Sequence, residues 1–260
     1  MAKTYLVNGR VYIGRAFEGK PLVLENGKLT VLEAGCDTSA GTVFDACGLK
    51  VVPGLIDTHT HGAVGVDVNG ATAEDLEKIS CFMATKGTTA WQCSVLTDTQ
   101  EQTEWCIAQF THHEKMEQNG ADLVGIHLEG PFLAKEYKGA MPEHLLKKND
   151  IPLVRHYQEL AGGKINYITI SPELDGVQEM IPTLKELGIV VGIGHSGATY
   201  DQAMSAIAQG ATVGTHVGNA MRLFHQHEPA IFGAIMETDT YCETICDGRH
   251  LVPGTVRMYA

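Results

Sequence analysis

The chain has 260 residues, of which 44% are hydrophobic and 19% are charged, and its formal net charge at pH 7 is -12. This length allows one large domain, or one domain with a small companion, to bury a core. Because no basic block offsets the negative charge, we expect neither nucleic acid nor an anionic membrane as a partner, whereas a small anionic substrate needs only a few local cations.

The cysteine pattern and the N-terminus predict the compartment. The seven cysteines are an odd number and include no Cys-x-x-Cys pair, which is more typical of free thiols in a reducing compartment than of a disulfide framework. The N-terminus lacks a long apolar segment, and no run approaches the roughly 18 apolar residues of a membrane span. We therefore predict a cytoplasmic protein.

Residues 1–50 predict a small β-sandwich part made of short strands. Asn8-Gly9 and Asn26-Gly27 each lie between apolar runs, and this dipeptide is the strongest short-range signal for a β hairpin. Hairpins of this kind are marginally stable alone. The unit is therefore expected to be incomplete without further strands.

Residues 51–260 predict strands that alternate with helices. The predicted strands are 51–56, 88–96, 123–129, 165–171, 189–195, 211–216 and 241–247, and a last helix begins at Pro253. Such alternation is typical of a parallel (β/α)8 TIM-type barrel. We predict the metal-dependent hydrolase barrel architecture with strands one to seven, lacking its last strand here.

The first predicted strand leads into two histidines. We interpret residues 51–56 as a buried apolar strand, interrupted only by Pro53-Gly54, that ends near His59 and His61. Side chains two residues apart on a strand point to the same face, and two converging imidazoles can bind a metal such as zinc. A lone His-x-His is more often a solvated strand end, so this interpretation depends on the other strands.

Other strand ends carry matching side chains, and active sites of such barrels lie at the C-terminal ends of the strands. These residues are Glu129, His195, His216, Asp247 and His250. A carboxylate such as Glu129 in an apolar strand end is costly to bury unless a cation pairs with it. Nitrogen and oxygen ligands favour zinc or iron over magnesium, and such an ion polarises a carbonyl and lowers the pKa of a bound water, which permits hydrolysis at neutral pH.

Several short motifs occur in one order along nearly the whole chain. They are Pro53-Gly54-Leu55-Ile56-Asp57 with His59 and His61, His127-Leu128-Glu129-Gly130-Pro131-Phe132, Lys138-Gly139-Ala140, Gly194-His195-Ser196, Thr215-His216 with Asn219-Ala220-Met221, Glu228-Pro229, and Asp247-Gly248 with His250. In these stretches the sequence resembles the amidohydrolase superfamily and, within it, the N-acetylglucosamine-6-phosphate deacetylase family.

The resemblance implies roles for individual residues. Glu129, His195 and His216 would hold the main metal ion, and His59 and His61 would help to hold a second, so one or two divalent ions, zinc or iron, are expected. The residues expected to contact the amino-sugar phosphate are Ala140, Asn219, Ala220, His227 and His250.

The resemblance also implies an activity, namely hydrolysis of the N-acetyl group of N-acetylglucosamine 6-phosphate to glucosamine 6-phosphate and acetate in amino-sugar catabolism. It implies a homodimer for the full-length protein. Two alternatives stay open: another amidohydrolase that acts on an unphosphorylated N-acyl sugar or N-acyl amino acid, or an inactive fragment that only binds metal and ligand.

The sequence departs from the family pattern at three places. Met141 stands where members commonly have a histidine over the substrate, and His227 stands where they carry a phosphate-binding arginine. Histidine is a weaker and pH-dependent phosphate partner. The family's general base is an aspartate on the eighth strand, which has no counterpart in these 260 residues, so residues 1–260 alone are not expected to turn over substrate.

The other histidines have different expected roles. We expect His127 to contact a metal-ligating side chain rather than the metal itself, and we expect His112-His113 to be solvated.

Overall fold

The structure is a computed structural model that describes residues 3–259. Backbone contacts divide the chain into two compact units, with the boundary between Leu55 and Ile56.

The first unit consists of short strands in two sheets. Its strands are β1 (Lys3–Val7), β2 (Arg10–Ile13), β3 (Ala16–Glu18), β4 (Leu22–Glu25), β5 (Lys28–Val31), β6 (Gly41–Asp45) and β7 (Lys50–Val51). One sheet has the order β5-β4-β1-β6 and the other the order β3-β2-β7.

One of the two predicted hairpins is confirmed and the other is wrong. Asn26 and Gly27 have φ angles of 53° and 72°, as a type I′ turn requires, and β4 pairs antiparallel with β5 on either side of them. Asn8 also has a positive φ, of 55°, but Gly9 does not share it. A Cβ on Gly9 would lie 2.8 Å from Cγ2 of Val51. The chain therefore passes from one sheet to the other here, and β1 pairs with β4 and β6 instead of β2.

The Asn26-Gly27 turn gives a first testable expectation. Because Gly27 is left-handed, with a φ of 72° and open space around it, Gly27→Ala should lower the free energy of unfolding by about 1–2 kcal/mol. Gly19 is the matched control, since it also has open space but lacks a left-handed φ. Urea unfolding of both variants measures the difference. Equal losses in Gly27→Ala and Gly19→Ala would contradict a conformational origin.

The second unit is built on a curled parallel sheet of seven strands. Its elements are β8 (Leu55–Thr60), β9 (Gly62–Ala63), β10 (Val66–Asp67), α1 (Ala73–Thr85), β11 (Thr88–Leu96), α2 (Gln100–His113), β12 (Asp122–Glu129), α3 (Ile151–Leu160), β13 (Ile165–Ile170), α4 (Ile181–Glu186), β14 (Val190–Ile193), α5 (Tyr200–Gln209), β15 (Val213–Gly214), α6 (Ala230–Met236), β16 (Tyr241–Cys242) and α7 (Pro253–Tyr259). The seven strands lie in chain order, β8-β11-β12-β13-β14-β15-β16. This order confirms the predicted barrel architecture with seven strands.

The bounds of the first barrel strand differ from the prediction. Lys50–Val51 forms β7 and pairs with β2, whereas the barrel strand begins at Leu55. Pro53 has no N–H with which to continue a ladder, so the run breaks there. Leu55 and Ile56 are 64% and 66% exposed, because β8 lies at the edge of the seven-stranded sheet. The prediction of a single buried strand over residues 51–56 is therefore wrong.

Capped helices cover the sheet. Thr72 and Thr199 form the capping boxes of α1 and α5, and α1 buries an apolar face that includes Leu76 and Ile79. Trp91 on β11 is fully buried, and its Nε1 donates a hydrogen bond of 2.9 Å to Ser80 of α1. These contacts fix the outer side of the sheet and leave its inner side and strand ends for polar groups.

Within residues 3–259, no helix is long and apolar enough to cross a bilayer.

Candidate metal centre

The site is centred on the carboxylate of Glu129, the last residue of β12, which is 3% exposed. Its Oε1 lies 2.9 Å from Nε2 of His195, 3.0 Å from Nε2 of His216 and 3.3 Å from Nε2 of His59. Its Oε2 lies 3.1 Å from Nε2 of His61. The five side chains predicted as metal ligands are therefore brought together, and we call them the Glu129 cluster.

The Glu129 cluster contains two groups that could each hold a metal ion, and both include Glu129. One group adds His195 and His216 and is fully buried, whereas the other adds His59 and His61 and is partly exposed. Within each group the candidate ligand atoms lie within 4.8 Å of one another. The carboxylate can thus serve both groups.

Two of the candidate ligand histidines follow their strands, β14 and β15, in a left-handed backbone conformation. The φ angle is 48° at His195 and 32° at His216, a region that few residues other than glycine adopt. The turn after β14 is held by Ser171, whose hydroxyl donates to the carbonyl of His195 at 2.7 Å.

The ring contacts of two histidines suit metal binding. Nδ1 of His61 lies 3.0 Å from the carbonyl of Ser94, and Nδ1 of His195 lies 2.8 Å from the carbonyl of Tyr137. A carbonyl only accepts, so each Nδ1 carries a hydrogen and each ring turns its Nε2 towards Glu129. An Nε2 that faces a carboxylate needs a proton or a cation between the two atoms. The donor set, four imidazole nitrogens and one carboxylate without thiolate, fits a divalent transition metal.

Contacts within and beside the Glu129 cluster shift the pKa values of Glu129 and His59. Burial acts to raise the pKa of Glu129, but its contacts with His195, His216, His59 and His61 outweigh burial and hold the pKa far below its ordinary value. Burial likewise acts to lower the pKa of His59, but Glu129 and Glu243 outweigh it and raise the pKa to about 9. The cluster therefore keeps an ionised carboxylate and attracts positive charge.

Sequence reasoning missed Glu243, which directly follows β16. Its Oε2 lies 3.5 Å from Nδ1 of His59, and its Oε1 accepts a hydrogen bond of 2.8 Å from Thr58. The sequence does carry a signal for this residue. Like Glu129, Glu243 is a carboxylate within a predicted strand, and its apolar neighbours there are Cys242 and Ile245.

Two other histidines lie outside the Glu129 cluster. His127 is fully buried, and its ring nitrogens contact the hydroxyls of Ser94 and Thr169, both at 2.9 Å. His113 is also fully buried, and its Nε2 pairs with Glu77 at 2.9 Å. The expectation that His112-His113 would be solvated is wrong for His113, because α2 turns this residue inwards towards α1.

The predicted substrate residues lie on loops after the strands. Asn219 and Ala220 follow His216, and the carbonyl of Ala220 accepts a hydrogen bond of 3.2 Å from the backbone N–H of Ser196, next to His195. Ala140 is exposed and follows Gly139, where a Cβ would lie 3.3 Å from the His195 ring. These three residues therefore lie on loops that contact the residues around the candidate ligands.

His227 and His250 are exposed, and their described contacts are outside the Glu129 cluster. The ring of His227 lies 5.4 Å from that of His225, and Nδ1 of His250 lies 2.8 Å from Asp247. The backbone N–H groups of His250 and Arg249, with the His250 ring, lower the pKa of Asp247 to about 2. Asp247 is thus ionised and orients the His250 ring.

Two of the curated proteins that resemble this chain carry the same name, although no protein-family model matches the chain. The chain is 34% identical over 207 residues to the N-acetylglucosamine-6-phosphate deacetylase of Bacillus subtilis, a match that covers 78% of this chain and 52% of the relative. It is 30% identical over 236 residues to the enzyme of the same name from Lysinibacillus sphaericus, with 90% and 61% covered. The chain thus spans between about half and three fifths of the length of these curated relatives.

A solved structure agrees with these relatives. It is a mutant of N-acetyl-D-glucosamine-6-phosphate deacetylase from Mycobacterium smegmatis in complex with N-acetyl-D-glucosamine-6-phosphate, and it matches with a TM-score of 0.89 and 29% identity. The match covers 99% of this chain and 67% of that chain. By its sequence and its fold, the chain belongs to the N-acetylglucosamine-6-phosphate deacetylase family of the amidohydrolase superfamily.

Proposed function

We propose that this protein hydrolyses the N-acetyl group of N-acetylglucosamine 6-phosphate, giving glucosamine 6-phosphate and acetate. The observation that carries the proposal is the Glu129 carboxylate, which lies within 3.3 Å of Nε2 of four histidines. Glu129 and these histidines would hold a divalent ion, which would supply polarisation of an amide carbonyl and a lowered pKa of a bound water.

Each residue of the Glu129 cluster has a role in this proposal. Glu129, His195 and His216 would hold the main ion, and His59 and His61 would hold a second, with Glu129 shared by both. Zinc and iron suit these ligands. His195 and His61 keep Nδ1 hydrogens on backbone carbonyls, which orients their rings before any ion arrives.

The loop residues would bind the sugar phosphate. Asn219 and the backbone near Ala220 are placed beside His216 and would bind the sugar, as would Ala140 beside His195. His250, oriented by Asp247, and His227 would contact the phosphate. A homodimer and a cytoplasmic location remain predictions, and sedimentation equilibrium would test the first.

Metal content tests the proposed ligands. We expect transition metal in the wild-type protein, and loss of most of it in His195→Ala and His216→Ala because each removes one of three buried ligands. His156→Ala is the matched control, since this exposed histidine also pairs with a glutamate, Glu104. Elemental analysis after gel filtration measures the ratio. Equal metal in all four proteins would rule out the proposed site.

The second ion is expected to bind more weakly, because His61 is 36% exposed and this group is open to water. The double substitution of His59 and His61 with alanine should remove the weaker step of a metal titration and leave the stronger one. A titration that saturates at one ion in both proteins would contradict a second position.

Release of acetate tests the activity. In a form extended to the length of its relatives, we expect hydrolysis of N-acetylglucosamine 6-phosphate with only a modest preference over plain N-acetylglucosamine, because histidine is a weaker phosphate partner than arginine. His227→Ala should lower this preference further, and His156→Ala should not. Equal hydrolysis of both sugars would favour an unphosphorylated substrate. Metal binding without hydrolysis would favour a chain that only binds metal and ligand.

A further inference from the structure

A row of polar side chains crosses the inside of the sheet next to the Glu129 cluster. We call it the interior chain; its residues are Ser94, His127, Thr169, Thr215, Tyr167 and Glu243. The first five are buried, with at most 3% exposed. The interior of a barrel is usually filled by branched apolar side chains, so a connected polar row there needs a reason.

Each neighbour in the interior chain is within hydrogen-bond distance of the next. Ser94 Oγ lies 2.9 Å from Nδ1 of His127, whose Nε2 lies 2.9 Å from Oγ1 of Thr169. Thr169 Oγ1 lies 3.0 Å from Oγ1 of Thr215. The interior chain therefore links β11, β12 and β13 to the residues after β15.

The last links of the interior chain have a fixed direction. Oγ1 of Thr215 lies 2.7 Å from the hydroxyl of Tyr167, which lies 3.3 Å from Oε2 of Glu243. A phenol has one hydrogen, and Tyr167 donates it to Oε2 of Glu243. Thr215 must therefore donate to Tyr167.

The same counting carries the direction to His127. Because the single hydroxyl hydrogen of Thr215 is used on Tyr167, Thr169 donates to Thr215. The hydrogen of Thr169 is then also used, so Nε2 of His127 carries a hydrogen and donates to Thr169. In the neutral ring, which complete burial favours, Nδ1 is left to accept from Ser94. One carboxylate thus determines the tautomer of a histidine four hydrogen bonds away.

Glu243 also contacts the candidate metal centre. Its Oε2 lies 3.5 Å from Nδ1 of His59, and the His59 ring lies edge-on to His127 with centroids 4.5 Å apart. A carboxylate beside Nδ1 of a ligand histidine favours the form whose Nε2 is free for metal.

We propose that Glu243 is a positioning residue that sets the hydrogen-bond direction of the interior chain, and with it the Nε2–H tautomer of His127 and the orientation of His59. The His59 part rests on the proposed metal site, whereas the His127 part does not.

Nitrogen NMR of metal-free protein labelled with ¹⁵N-histidine tests the first part without metal or substrate. In the wild type, His127 should show a pyridine-type Nδ1 and a pyrrole-type Nε2. Glu243→Gln should give a mixture of tautomers or the reverse one, because an amide can donate as well as accept. Glu237→Gln is the matched control, since Glu237 accepts from Tyr200 in an exposed tyrosine–glutamate pair. An unchanged His127 tautomer in Glu243→Gln would overturn the proposal.

A second variant covers the case in which Glu243→Gln does not fold. Tyr167→Phe removes the link between Thr215 and Glu243 but keeps the ring that stacks on His127 with centroids 4.1 Å apart. It should release the His127 tautomer while the contact between Glu243 and His59 remains. Retention of one pure Nε2–H tautomer in Tyr167→Phe would likewise overturn the assigned direction.

Metal titration by calorimetry tests the second part. Glu243→Gln should weaken the second, weaker metal step by about 10–100-fold, and neither Glu237→Gln nor Tyr167→Phe should match that loss. Unchanged metal affinity in Glu243→Gln would overturn the positioning of His59. Because the proposed function is tested by metal content and acetate release in the wild type, its failure would be seen separately.

Discussion

Replacement of Glu129 with glutamine should weaken metal binding by more than about 100-fold. Even residues that only support a metal ligand contribute about 10–100-fold to affinity, and Glu129 is the one carboxylate that both candidate groups share among the described residues. A neutral amide in its place offers one weaker acceptor, and its N–H group would face an imidazole. Competition titration with a chelator of known affinity would measure the change.

Glu77→Gln is the control for this experiment. Glu77 also pairs with a buried histidine, His113 at 2.9 Å, but that pair joins α1 to α2 away from the Glu129 cluster. We expect this variant to keep the wild-type metal affinity. If Glu129→Gln binds metal as tightly as Glu77→Gln, then Glu129 is not a ligand.

The affinity for the second metal ion, which His59 would help to hold, should also rise with pH. The rise should be about tenfold per unit between pH 7 and 9 if one proton leaves on binding. Burial opposes the charged form of His59, but Glu129 and Glu243 outweigh it and raise its pKa in the metal-free protein to about 9. At neutral pH this ring therefore holds a proton that a metal must displace. Above pH 9 the ring is already neutral, so the dependence should level off.

Calorimetry in two buffers of different ionisation enthalpy gives the number of protons released. We expect about one at pH 7.5, with a smaller number in His59→Gln and an unchanged number in His156→Gln. An affinity that stays constant from pH 7 to 9 would show that the metal does not displace a proton from His59.

The candidate ligands were predictable from the sequence for a simple geometric reason. Parallel strands in one sheet present their C-terminal ends at one edge, so polar residues that end apolar runs must meet there. His59, Glu129 and His195 all end or follow such runs. Their convergence needs only the strand order, which the alternation of strands and helices supplies.

Features that depend on backbone angles or on sheet edges were not predictable in this way. The Asn8-Gly9 pair resembles Asn26-Gly27 in sequence, but Gly9 lacks the left-handed φ and the chain changes sheets. The exposure of Leu55 and Ile56 depends on which strand lies at the edge, and periodicity does not carry that information.

Glu243 was missed for a different reason. Because residues 241–247 predict one continuous strand, only the carboxylate at its end, Asp247, is expected at the strand-end site. The structure limits β16 to Tyr241–Cys242, and the backbone of Glu243 still pairs with Gly214 at 3.0 Å. That pairing places its side chain next to Thr58 and Tyr167.

The left-handed histidines have a consequence for how this protein can change over evolution. His195 and His216 hold φ angles of 48° and 32°, which cost of order 1–3 kcal/mol each for a residue with a side chain. Glycine would relieve that cost at either position while removing the imidazole. A variant with glycine at either position loses this backbone strain together with the imidazole, so selection for stability alone would not retain these histidines. Their retention in a lineage would report selection on activity.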